Sequence, residues 1–262
     1  MAELKRKVAM CMMAHPDDCE FQVAGTLALL AKKGWEIHIV TSTPGDCGSM
    51  VLGPEEIAAV RRKEGAAAAD IIGATYHCME LRDLYVTYDK DSIRRAMSLT
   101  RKIAPSVIFT HSLQDYMLDH EITAQLARTV SIGYFVPNTC NGPIAPGSGM
   151  PYLYYADPAG TVDYFGNRAI ATTYVDVSQV MDTKRSMLKA HASQREWLMA
   201  HYGIDEYVRL LEAGGEGRGK EIGVKYAEGF RQHKGQGYPQ DCVLRNELGD
   251  AMVKHMPLPR GV

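Results

Sequence analysis

The sequence predicts an α/β protein built on a mostly parallel sheet with helices on both faces. Three observations predict it. Short apolar runs ending in loop residues alternate with stretches of helical periodicity. The runs are continuous rather than alternating, as in strands buried on both faces. At 262 residues and 46% hydrophobic, the chain can bury a large core.

Residues 7–14 form the first such run, bounded by charge before it and Pro16 after it, and read as a buried strand. A helix follows over 25–34, with lysines in its last turn and Gly34 as its stop. Residues 35–41, rich in β-branched and aromatic side chains, complete a strand–helix–strand unit, and 44–49 are loop. The helix predicted over 54–72 carries Glu55 and Glu56 in its first turn and Gly73 at its end. Then come a short strand (74–81), a helix (91–103) and a buried strand (106–110) that opens onto His111. A helix precedes a long loop over 138–149. Strands at 152–156 and 172–177 and a helix over 179–200 follow. A glycine-rich loop (214–219), a helix (221–230) and a polar tail end the chain. The organisation expected is one domain over 1–262, with a core over 1–136 and an elaborated part over 137–262.

Charged residues make up 23% and the net charge is −2, so the basic footprint of nucleic-acid binding is missing. The apolar run before His15 is far shorter than the ~20 residues of a membrane span, and no small-residue cleavage site follows it. A cytoplasmic protein with no membrane partner is expected. The six cysteines show no C-x-x-C spacing and read as free thiols, and the 14 methionines read as core filler. The glycines of 214–219 lack the Lys-Ser/Thr of a phosphate loop, and no dinucleotide fingerprint follows the first strand. Small-molecule partners and a homo-oligomer are expected.

The chemistry concentrates in His15-Pro16-Asp17-Asp18, an imidazole and two carboxylates at a strand end. Ligands of such sheets sit beyond the C-terminal ends of the strands. Adjacent carboxylates repel unless a cation takes one of them, and a divalent metal can do so while leaving the other free. A catalytic metal site needs three protein ligands and an open position. His15 and Asp18 supply two, and His120, after the strand that ends at Thr110, is the choice for the third. The plainer reading is of polar loop-end histidines with Asp17 capping a helix. Tyr116, Tyr152, Tyr154 and Tyr155 read either as a binding wall or as core.

These motifs resemble the PIG-L family of deacetylases, also called LmbE-like, whose members include N-acetylglucosaminyl-phosphatidylinositol, bacillithiol- and mycothiol-pathway enzymes. The resemblance runs through Ala14-His15-Pro16-Asp17-Asp18, Gly25-Thr26, Arg61-Arg62-Lys63-Glu64, and Thr110-His111 to Asp119-His120. It continues in Val175-Asp176-Val177-Ser178 and Lys189-Ala190-His191-Ala192-Ser193-Gln194. It implies a Rossmann-like fold and a zinc or ferrous ion on His15, Asp18 and His120, with Asp17 as general base. It further implies removal of an N-acyl group, usually acetyl, from an amino sugar. Arg61 reads either as a substrate-binding residue or as a surface arginine paired with Glu64. Asp119 and His111 read as orienting or substrate-side residues.

One departure is plain. The family's His-Pro-Asp-His is Met117-Leu118-Asp119-His120 here, and methionine can neither stabilise an oxyanion nor protonate an amine. His111 and His191 are candidates to reach the same space. A metal-binding relative without turnover, or a hydrolase of another amide or carbamoyl bond, therefore stands beside the deacetylase reading, although a retained Asp17 favours an enzyme.

Overall fold

The computed structural model describes residues 6–202 and 206–256. Its first half alternates as the sequence predicts: β1 (Val8–Met13), α1 (Asp18–Gln22), α2 (Ala24–Lys32), β2 (Glu36–Thr41), α3 (Pro54–Asp70), β3 (Thr75–Cys78), α4 (Lys90–Ile103), β4 (Val107–Thr110) and α5 (Leu118–Gly133). The second half comprises β5 (Tyr152–Ala156), β6 (Thr173–Asp176), α6 (Met181–Lys189), α7 (Ala192–Tyr202), α8 (Tyr207–Ile222), β7 (Ala227–Gln232), α9 (Val243–Leu248) and β8 (Val253–His255). Local chemistry explains several boundaries. Pro54 and two glutamates open α3, and the Asp89 carboxylate caps α4 by accepting the N–H groups of Asp91 and Ser92.

All eight strands form one sheet in the order β3-β2-β1-β4-β5-β7-β6-β8. The β3 to β5 stretch is parallel, and β7, β6 and β8 complete it antiparallel. Met13 pairs with Thr41 and Met12 with Thr110, so the C-terminal ends of β1, β2 and β4 lie level and their loops open on one edge. β1 is buried on both faces. Ala9, Cys11 and Met13 enter one core with residues of α2, α3, α6, α8 and α9, while Val8, Met10 and Met12 enter the other beneath α4 and α5. Tyr154 and Tyr155 are core residues, and all six cysteines are free.

Four expectations for the second half are corrected. The helix over 179–200 is two helices, because the chain turns at Ala190-His191 to bury His191 beside Glu20 and to bond Ser193 to the Glu64 carboxylate. The glycines at 214–219 lie inside α8, and Gly219 lets that helix pass close to a neighbouring backbone: a Cβ there would stand 2.6 Å from the Val224 carbonyl. The helix over 221–230 is instead the end of α8, a turn and the strand β7. The polar tail holds α9 and β8, and residues 257–262 lie outside the described residues.

Candidate active site

The turn after β1 and the first turn of α5 bring His15, Asp18 and His120 together. Asp18 opens α1, and its Oδ2 accepts the backbone N–H of His15 at 2.7 Å. His120 is 1% exposed; its Nδ1 lies 2.9 Å from Asp115 Oδ1, while its Nε2 is buried without a hydrogen-bond partner, 3.5 Å from Asp18 Oδ1. A carboxylate on Nδ1 fixes the proton there and leaves the Nε2 lone pair free, as metal-ligating histidines require. His15 Nδ1 is 3.4 Å from Asp18 Oδ2, and its Nε2 faces Asp83 Oδ1 at 3.1 Å and Asp119 Oδ2 at 3.4 Å.

His15, Asp18 and His120 each offer a ligand atom within 4.8 Å of the others. His111–Asp115–His120, His15–Asp83–Asp119 and Asp46–Cys47–Asp83 meet the same spacing. Only the first set has every member on the wall of the main cavity. Its electrostatics ask for a cation. Burial pushes the Asp18 carboxyl up, but the imidazoles of His120 and His111 outweigh it and hold the group well below the usual carboxylate range. Burial pushes His15 and His120 down, yet Asp119, Asp18 and Asp83 hold His15 well above an ordinary imidazole, and Asp18 and Asp115 hold His120 above it. In the metal-free chain, protons supply the positive charge that this cluster needs.

Asp17 stands beside the trio with a left-handed backbone (φ 103°), a strain that non-glycine residues tolerate at sites the surroundings over-determine. Tyr207 of α8 donates its O–H to Asp17 Oδ2 at 2.6 Å, and the Arg61 guanidinium lies 3.5 Å from Oδ1. Burial raises the Asp17 carboxyl above its ordinary value; Arg61 opposes this and the Asp18 charge adds to it. A carboxylate raised in this way is better suited to accept a proton near neutrality. Arg61 is buried, not a surface residue, and Glu64 is engaged with Ser193 instead. Its guanidinium donates to the carbonyls of Pro16 (2.6 Å) and Gly45 (3.3 Å), and a Cβ on Gly45 would overlap it.

Asp119 accepts the Leu84 N–H at 2.7 Å and faces His15. His111 is fully buried, stacks on the His120 ring at 4.0 Å and accepts the Ala14 N–H on Nε2 at 2.9 Å. Its place is behind the trio. Met117 lines the cavity at the N-cap of α5; His111 and His191 do not, so among the described residues the only imidazoles on the cavity wall are His15 and His120. Three residues escape the sequence reading: Asp83, Asp115 and Tyr207. The first two lie in irregular segments with no pattern to mark them, and Tyr207 meets Asp17 across the fold, leaving no local signal.

The cavity measures about 710 Å³. Phe21, Leu198, Leu210 and Leu211 line it with apolar side chains, and Lys184, Glu228, Asp157 and Arg218 line it with charged ones. The cations are committed. Lys184 Nζ meets Glu228 Oε1 at 2.5 Å, and Arg218 holds Asp157 through two hydrogen bonds of 2.6 and 2.8 Å.

Fold and site define the class: an α/β protein with a buried imidazole–carboxylate cluster, beside a further carboxylate, at the C-terminal edge of its parallel strands. Residues 10–131 match the family model for PIG-L, GlcNAc-PI de-N-acetylase. It is 26% identical over 249 residues to a 4-oxalmesaconate hydratase of Pseudomonas putida, covering 86% of this chain and 89% of that one. It is 24% identical over 238 residues to the diacetylchitobiose deacetylase of Thermococcus kodakarensis, covering 86% and 82%. Among solved structures, the N,N'-diacetylchitobiose deacetylase of Pyrococcus horikoshii superposes with a TM-score of 0.73 at 25% identity over 87% of this chain and 84% of that one. The 4-carboxy-2-hydroxymuconate hydratase GalB of P. putida gives 0.71 at 25% identity over 90% and 100%.

Proposed function

We propose that this chain is a metal-dependent hydrolase that removes an N-acyl group, acetyl in the simplest case, from an amino sugar or a related small molecule. The observation that carries the proposal is the convergence of His15, Asp18 and His120 on the cavity wall, with the free Nε2 of His120 among them and Asp17 alongside. The donor set of two imidazoles and a carboxylate suits zinc first and ferrous iron second.

A divalent ion held there would polarise the acyl carbonyl and lower the pKa of a water toward ~7. The chain's own groups do the rest. Asp115 fixes the tautomer of His120, and Asp83 and Asp119 face the far edge of His15. Asp17, aimed by Tyr207 and Arg61, takes the proton of the attacking water and returns it to the departing amine. With methionine at 117, Asp17 serves both proton steps.

A hydratase is the second reading, favoured by the similarity to a 4-oxalmesaconate hydratase. It would place carboxylates in this cavity, and the three cations lining it, Arg61, Lys184 and Arg218, are each already engaged by carbonyls or carboxylates. The test is an amine-release assay across N-acyl compounds, with hydration of an unsaturated polycarboxylate run in parallel. We expect amine release by the wild type and a loss of about 10² to 10⁴ in kcat for Asp17→Asn with metal content kept. Hydration without amine release would overturn the proposal.

A further inference from the structure

We infer that the substrate carries, next to its acylated nitrogen, an uncharged apolar or aromatic substituent, and that Leu84, Tyr116 and Leu210 select it. The inference rests on the hydrolase reading only for the bond that is cut.

Each of these residues stands beside a different member of the catalytic cluster. The Leu84 N–H donates to Asp119 Oδ2, the same oxygen that lies 3.4 Å from His15. The Tyr116 ring stands edge-on to His120, 5.3 Å away at 83°. Leu210 follows Tyr207 by one helical turn, and Tyr207 holds Asp17. All three line the same cavity as His15, Asp17 and His120.

All three are also exposed, at 62%, 63% and 53% for Leu84, Tyr116 and Leu210. Large apolar side chains exposed together at the mouth of a cavity mark a surface that a ligand covers. Leu84 adds a second, independent sign. Its backbone is left-handed (φ 67°), a region that a leucine avoids and that persists where the surroundings impose it, typically at ligand-binding sites. A glycine or asparagine would sit there without strain, but neither would present an apolar side chain to the cavity.

Charge points the same way. Arg61, Lys184 and Arg218 are the cations on the cavity wall, and each is spent inside the protein, on carbonyl oxygens or on Glu228 and Asp157. An anionic substituent would find no lysine or arginine among the described lining residues that is not already engaged, whereas Phe21, Leu198 and Leu211 continue the apolar wall. At about 710 Å³ the cavity has room for a ring beyond the acylamino sugar itself.

The test compares the 4-nitrophenyl and methyl glycosides of N-acetylglucosamine, reading KM by amine release and binding by calorimetry on the metal-loaded protein. We expect the aryl glycoside to bind about tenfold more tightly than the methyl one. The variants are Leu84→Asn, which keeps the left-handed backbone available, and Leu210→Ser on the exposed face of α8. Together they should bring that ratio to within about twofold, because burial of the ring against these side chains is what creates it. A wild-type ratio near one, or a preference that survives both substitutions, would overturn the inference. If neither glycoside releases amine but the aryl one still binds and the variants abolish its preference, the inference stands and the hydrolase reading fails.

Discussion

On the proposed reading, the imidazoles of His15 and His120 are the places where protons and a metal compete. Burial alone would leave both rings neutral, but their carboxylate neighbours raise both above an ordinary imidazole in the metal-free chain. A bound metal must displace those protons. Apparent zinc affinity should therefore climb as pH rises through the raised range, by up to about tenfold per pH unit for each proton displaced. Competition against a chromogenic chelator between about pH 6 and 8 reads this directly. Asp115→Asn removes a carboxylate that raises His120, so the climb should level off at lower pH while affinity falls about 10- to 100-fold overall. An affinity flat in pH would contradict the assignment of these nitrogens as ligands.

At the scale of elements, α8 shows why propensity misleads. Gly-Gly-Glu-Gly-Arg-Gly reads as loop because each glycine weakens an isolated helix by about 1 kcal/mol relative to alanine. Packing overrides this, since only glycine at 219 lets the helix pass the carbonyls of Val224 and Lys225. Gly217, by contrast, has open space where a Cβ would go. Gly219→Ala should then lower stability by about 1–3 kcal/mol, whereas Gly217→Ala should raise it by up to about 1 kcal/mol, a pair of opposite Tm shifts measurable by thermal melting. Equal shifts would show that the glycines act through propensity alone. The strand β7 hides for a related reason: Ala-Glu-Gly-Phe-Arg-Gln has no alternation, yet Glu228 and Gln232 are buried because distant groups satisfy them. Glu228 accepts the N–H groups of Gly25 and Thr26 and the Lys184 ammonium, and Gln232 donates to the carbonyls of Pro239 and Asp241. The strands β1, β4 and β5 are legible because burial on both faces writes itself as continuous apolar sequence.

For the molecule as a whole, the two halves of the chain build one site. The family match over 10–131 contains His15, Asp17, Asp18, Arg61 and His120, and the remainder supplies Tyr207 on Asp17 and much of the cavity wall. Segments far apart in sequence also meet: Glu228 pins the start of α2, and Ser193 and Gln194 bond Glu64 and the Gly48 carbonyl. The proposed ligand trio is readable in sequence because dense carboxylates and imidazoles at strand ends have few other uses. Its supports, Asp83, Asp115 and Tyr207, are not, because a residue that acts by holding another through the fold carries no local pattern. The central claim is that the trio holds a metal. Elemental analysis of the purified protein beside His120→Ala tests it most directly: we predict about one equivalent of zinc or iron per wild-type chain, largely lost in the variant. A wild type that binds no metal, or a variant that keeps its full complement, would contradict it.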